Sequence, residues 1–406
     1  MAGIEPPPVA RPARRRAVIA VGVLAAAVVL IGTLAGAGLL PGSQSGPSNS
    51  QFASGSSVEG SLPPTGGPGP SATAPAPTPI PTLEVVPAPL TGLPVTPEAA
   101  ARHPVAVMVD DHIGARPQSG FNAADVVIQA PAEGGIPRYM LIFQDTIPTS
   151  VGPIRSAREY FLEWAAGWNA MYVHHGGSPQ ALTTLRTYGY GQYVWNADGF
   201  RWSPTYLWRI SSRPAPHNVY TDGKHLRELA AKVGATDGPI AQQWRFAPGS
   251  GGELPTGNKI VVVYPYEKIT FAYDPGRNAY LRYINDSKTP QVDAADNQPV
   301  TPRNVVVVRM HFGPINNFEA YKHRLEAADI GTGDAWISTG GRTTHGTWKK
   351  SAIDAPLQFF DAHGHPVTLQ PGQTFVEILA LTYSYTITNG TLPTMEGDLP
   401  GVVSPR

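Results

Sequence analysis

Pro104-Val105-Ala106-Val107-Met108-Val109-Asp110-Asp111-His112 is an apolar run that stops abruptly at three polar residues. A run with no alternation reads as a strand buried on both faces, and it delivers its polar tip to a sheet edge, where α/β folds place ligand groups. Two further runs follow, Asp125-Val126-Val127-Ile128 and Arg138-Tyr139-Met140-Leu141-Ile142-Phe143-Gln144, the second after the turn Glu133-Gly134-Gly135-Ile136-Pro137. Ser156 to Gly167 reads as a helix with Ser156 as N-cap and Glu159 as its capping-box partner. Ala170 to Val173 is another strand. Ser178 then caps a helix from Pro179 to Tyr188, with Pro in the first helical position. Thr221 to Val233 carries Leu226, Leu229, Ala230 and Val233 on one helical face.

Past Gly249-Ser250-Gly251-Gly252 the pattern changes to strands. They are Lys259–Tyr264, Ile269–Tyr273, Ala279–Tyr283, Asn304–Met310, Ala335–Ser338, Gly346–Lys349, Leu357–Phe360 and Thr374–Leu379, with Asp274-Pro275-Gly276-Arg277-Asn278 as a hairpin loop. The fold class expected is therefore α+β, an N-terminal α/β-type domain over residues 89–245 followed by a mostly β domain over 246–406.

Ahead of this lie three segments of different character. Residues 1–16 are a basic tail with Arg11, Arg14, Arg15 and Arg16; Ala17 to Leu40 has no charged residue; residues 41–88 are rich in Pro, Gly and Ser. An apolar stretch of that length can cross a hydrocarbon core of ~30 Å, and the absence of Lys and Arg after it until Arg102 orients the N-terminus inward. The expectation is a single transmembrane helix at 17–40, a disordered linker, and a folded part outside the cell membrane. Four of the 30 basic residues and one of the 30 acidic ones fall in 1–16, leaving 26 against 29 beyond it. That balance carries no nucleic-acid footprint. With no cysteine, disulfides, thiolate metal sites, a thiol nucleophile and a lipidated cysteine are excluded.

Polar clusters at strand tips and glycine turns carry the candidate chemistry. Asp110, Asp111 and Glu133, with His174 or His175, are the residues that would perform acid–base hydrolysis or transfer. Glycoside cleavage of that kind needs two carboxyl groups roughly 5–10 Å apart. Ligation of a metal by Asp110, Asp111 and His112 with His174 or His175 lacks a helix-borne motif such as His-Glu-x-x-His, so no metal and no cofactor is expected. Arg116, Arg138, Arg155, Arg158 and Arg213 are forked donors suited to carboxylate or phosphate, and with Ser156, Ser178 and His217 they form the ligand-binding set. Each single Arg has a competing role in a structural salt bridge, as Ser178 has in capping a helix. The aromatic stretch from Tyr188 to Trp208 would either stack on sugar or peptide or fold over the core.

The ordered series Val107–His112, Arg116-Pro117-Gln118-Ser119-Gly120, Glu133-Gly134-Gly135-Ile136, Gly152-Pro153-Ile154-Arg155-Ser156-Ala157-Arg158, His175-Gly176-Gly177-Ser178-Pro179-Gln180-Ala181 and Ser211–Asn218 resembles the YerB-like bacterial envelope proteins. The likeness continues through Gly346-Thr347-Trp348-Lys349-Lys350 and Leu369–Thr374. It implies an N-terminal and a C-terminal domain and attachment to the envelope, usually by a lipid, and it implies no activity. Here Ala17–Leu40 would replace the lipid. The partners expected are the membrane and cell-wall glycan, peptide or envelope proteins. Two functions stay open at this point: binding of an anionic wall ligand or an envelope partner, and wall hydrolysis or transfer.

Overall fold

The computed structural model describes residues 84–249, 258–315 and 320–388. The transmembrane span expected at Ala17–Leu40 and nearly all of the linker lie outside them. Among the described residues no helix is long and apolar enough to cross a membrane. Residues 86–87, read from composition as linker, pair instead with Pro94–Val95 in a two-stranded ribbon at the start of the folded unit.

The N-terminal half supplies β1 (Val105–Asp110), β2 (Val126–Ala130), β3 (Arg138–Phe143), α1 (Glu159–Ala166), β4 (Met171–His174), α2 (Pro179–Tyr188), β5 (Trp195–Asp198) and α3 (Gly223–Val233). The C-terminal half adds β6 (Lys259–Tyr264), β7 (Glu267–Asp274), β8 (Ala279–Ile284), β9 (Asn304–Met310), β10 (Gly331–Thr339), β11 (Arg342–Lys350), β12 (Gln358–Asp361), β13 (Thr374–Ala380) and β14 (Tyr385–Thr388). The α+β reading stands, with the helices of any length in the first half and strands dominating the second.

Both halves build one ten-stranded mixed sheet, in the order β12-β11-β10-β9-β13-β2-β3-β1-β4-β5. The join is the parallel pairing of β13 with β2, from Thr374 opposite Val126 to Glu377 opposite Gln129. A second sheet, β8-β7-β6-β14, comes wholly from the C-terminal half.

Period-two alternation divides the central strands between two cores. Val105, Val107 and Val109 of β1 and Phe375 of β13 face a core closed by the second sheet and α3, through Ile260, Phe271, Leu226 and Leu229. Ala106, Met108 and Val376 face the opposite core, closed by Phe161 and Trp164 of α1 and Leu185 of α2. The strands are largely apolar because both faces are covered. Trp195, Trp202 and Tyr206 of the aromatic stretch pack against the first core, while Tyr190 and Phe200 remain exposed.

Helix α1 starts later than expected. Arg158 occupies its N-cap position without a side-chain cap bond, and Ser156 is not a cap. Residues 155–157 stay extended because Arg155 N–H donates to the Met108 carbonyl and Ala157 pairs with Gly177. Glu159 accepts instead from Thr184 Oγ1 at 2.7 Å, tying α1 to α2. Ser178 does cap α2, accepting from Ala181 N–H at 3.2 Å.

Candidate functional site at the seam of the two halves

The tip of β1 lies where the ten-stranded sheet meets the second sheet. Asp111 is buried, and it accepts from Gln129 Nε2 at 2.7 Å, Arg116 Nη2 at 3.0 Å and Gln118 Nε2 at 3.3 Å. Arg116 Nη2 also lies 2.8 Å from Glu267, the first residue of β7, so one guanidinium bridges the halves. The Asp111 and Glu267 carboxyls face the same Arg116 Nη2, and each acts on the ionisation of the other. Burial and then the Asp111 charge push Glu267 well above the usual carboxyl range; burial raises Asp111 too, against the pull of Arg116.

Behind this pair runs a buried polar chain. Arg282 Nη2 donates to Gln129 Oε1 at 2.5 Å and Tyr139 Oη at 3.0 Å, and it stands 3.8 Å from Glu377. Tyr264 Oη donates to Glu377 at 2.8 Å, and burial pushes Glu377 up to about 7 despite Arg282. Because Gln129 and Glu377 are register partners across the β2–β13 join, the chain sits at the seam itself.

Above the floor of Asp111, Arg116 and Glu267 opens a cleft of about 320 Å³. Its rim is apolar and aromatic: Ile113, Ile136, Pro137 and Tyr266, with Ile113 77% and Tyr266 72% exposed. His112 lines it as well and stacks on His217, ring centroids 4.5 Å apart. His217 Nδ1 lies 2.6 Å from Asp110, and Arg155 forms an ion pair with the same carboxylate at 3.1 Å.

The sequence candidates thus separate into two groups. Asp110, Asp111, Arg116, Arg155 and His217 do come together. Glu133 is held by Arg138 at 3.2 Å and by Arg158 Nε at 2.7 Å, a clamp that secures the Glu133–Gly135 turn, with the Ser156 carbonyl accepting from Arg138 at 2.9 Å. Arg213 donates to the Gly114, Arg116 and Pro117 carbonyls and bolts the loop beneath the cleft rim. His174 is buried between the Gly176 carbonyl and Asn196 Oδ1, each at 2.8 Å; His175 packs on Phe200, and burial lowers its pKa. Ser178 is occupied as a cap.

Of the five arginines, only Arg116 lines this cleft, and each is engaged by a carboxylate or by backbone carbonyls. Among the described residues no group of three or more His, Asp or Glu is placed to hold a metal ion. Glu267, Arg282, Glu377 and Gln129 escaped the sequence reading. The available signal was a polar residue inside an otherwise apolar strand, as in Thr374-Phe375-Val376-Glu377-Ile378-Leu379, which strand logic leaves unexplained unless a buried partner awaits it.

The fold and the site define a class: an α+β protein of two sequence halves that share one sheet and bury a charged cluster where they meet. The chain belongs to the YerB-like family. Residues 90–236 match the model described as "Protein of unknown function (DUF3048) N-terminal domain", and residues 260–376 match that of its C-terminal domain. It is 31% identical over 311 residues to the protein named "Putative lipoprotein YerB" of Bacillus subtilis (strain 168), covering 73% of this chain and 87% of that one. The crystal structure of YerB from Bacillus subtilis superposes with a TM-score of 0.65 at 28% identity, covering 74% of this chain and 99% of that one.

Proposed function

We propose that this protein is an envelope protein, tethered to the cell membrane by Ala17–Leu40, whose folded part binds cell-wall material in the seam cleft without turning it over. The name of the Bacillus relative supports an envelope location. The observation that carries the binding reading is a polar floor of Asp111, Arg116 and Glu267 beneath an exposed apolar rim, the composition typical of ligand pockets.

The geometry favours binding over hydrolysis. Asp111 is buried and already accepts from Gln129, Arg116 and Gln118. Asp110 is committed to His217 and Arg155, and Glu133 to two arginines. Full-length protein in detergent micelles, sedimented with labelled peptidoglycan sacculi, tests the proposal. Retention that weakens in Arg116→Ala, with no label released, is the expected outcome. Soluble fragments that disappear in Asp111→Asn would transfer the assignment to a hydrolase, and absence of retention would remove binding of the wall.

A further inference from the structure

From the unmatched donor and acceptors on the cleft floor we infer that its ligand is an uncharged pyranose ring of a glycan, stacked on Tyr266 and hydrogen-bonded to the Arg116–Glu267 floor. The inference rests on the binding function proposed above and narrows it to one chemical class.

Charge is the first argument. Arg116 is the only cation among the cleft's lining residues, and it already faces Asp111 at 3.0 Å and Glu267 at 2.8 Å. An anionic ligand would be set against these two carboxyls, and an ammonium would meet Arg116. In a partly desolvated site either arrangement is costly, so a neutral ligand fits best.

Hydrogen bonding is the second argument. Glu267 is buried and neither of its carboxyl oxygens has a hydrogen-bond partner, although Arg116 Nη2 stands 2.8 Å from Oε1, and Arg116 Nε–H has no acceptor. Buried polar groups in this state are costly unless a partner arrives. A hydroxyl both donates and accepts, so a polyhydroxy ring answers an unmet acceptor and an unmet donor lying side by side.

Shape and surface are the third. Ile113 and Tyr266 stand 77% and 72% exposed at the rim, on loops from opposite halves, and offer flat apolar area to the C–H face of a ring. At about 320 Å³ the cleft is at the small end of ligand pockets, which suits one ring rather than a polymer laid lengthwise.

Calorimetric titration of the full-length protein in detergent tests this, with an N-acetylglucosamine oligosaccharide as the neutral probe and poly(glycerol phosphate) as the anionic one. Saturable binding of the oligosaccharide is expected, weakened at least tenfold by Tyr266→Ala and by Ile113→Ala. Both residues are solvent-exposed, so loss of binding would not reflect misfolding. Binding indifferent to both substitutions, or binding of the phosphate polymer through Arg116, overturns the inference. Retention on sacculi without oligosaccharide binding overturns the glycan assignment and leaves wall binding in place, whereas loss of both removes the functional proposal itself.

Discussion

Arg282 shows how one side chain can be both a cost and a constraint. It is fully buried, between Gln129, Tyr139 and Glu377, and it contacts strands from each half. Removing one member of such a buried set leaves the others uncompensated, so Arg282→Met should lower unfolding free energy by about 3–5 kcal/mol in urea titrations. Glu377 gives a prediction with a sign. Its folded pKa, about 7, lies above its ordinary 4.5, so the folded state keeps a proton that the unfolded chain releases. Stability from this group is present at low pH and is lost as pH rises between those two values. Glu163 acts in the same direction up to about 9, raised by burial and by its hydrogen bond to Asp329. The urea midpoint should therefore fall on going from about pH 5 to about pH 8, and Glu377→Gln, which keeps an acceptor for Tyr264, should flatten the part below pH 7. Arg282 and Glu377 were invisible in the sequence for a physical reason: a charged side chain inside an apolar strand is explained by distant partners, here Gln129 and Tyr139 for Arg282, 153 and 143 residues away, and Tyr264 for Glu377, 113 residues away.

Among the elements, those whose signals are local were the legible ones. Pro179 with Ser178 before it specified where α2 begins, and Ser178→Ala should cost about 1 kcal/mol by thermal or chemical denaturation while leaving ligand binding unchanged. Apolar runs likewise located β1, β3, β6, β9 and β13 to within a residue or two. Helix α1 departed from its expected start because tertiary pairing of residues 155–157 with β1 and Gly177 outweighed the local capping pattern. The arginines departed for a related reason. Forked donors near glycine turns read as anion ligands, yet Arg138 and Arg158 spend their donors on Glu133, and Arg213 on backbone carbonyls.

At the scale of the whole molecule, two sequence halves are one structural body. Strand β13, late in the chain, lies between β2 and β9, so the central sheet is incomplete without the C-terminal half. The composition change near residue 250 separates a helix-bearing from a strand-rich stretch, but pairing between the two is non-local and leaves no periodicity to read. The cleft follows from this arrangement: Asp111 and Arg116 come from one half, Tyr266 and Glu267 from the other. The most direct measurement is hydrogen–deuterium exchange of the full-length protein with and without soluble peptidoglycan fragments. Slower exchange of residues 111–117 and residues 264–268 together is the predicted result. Bound fragments that protect only one of these segments, or neither, would contradict a ligand site at the seam.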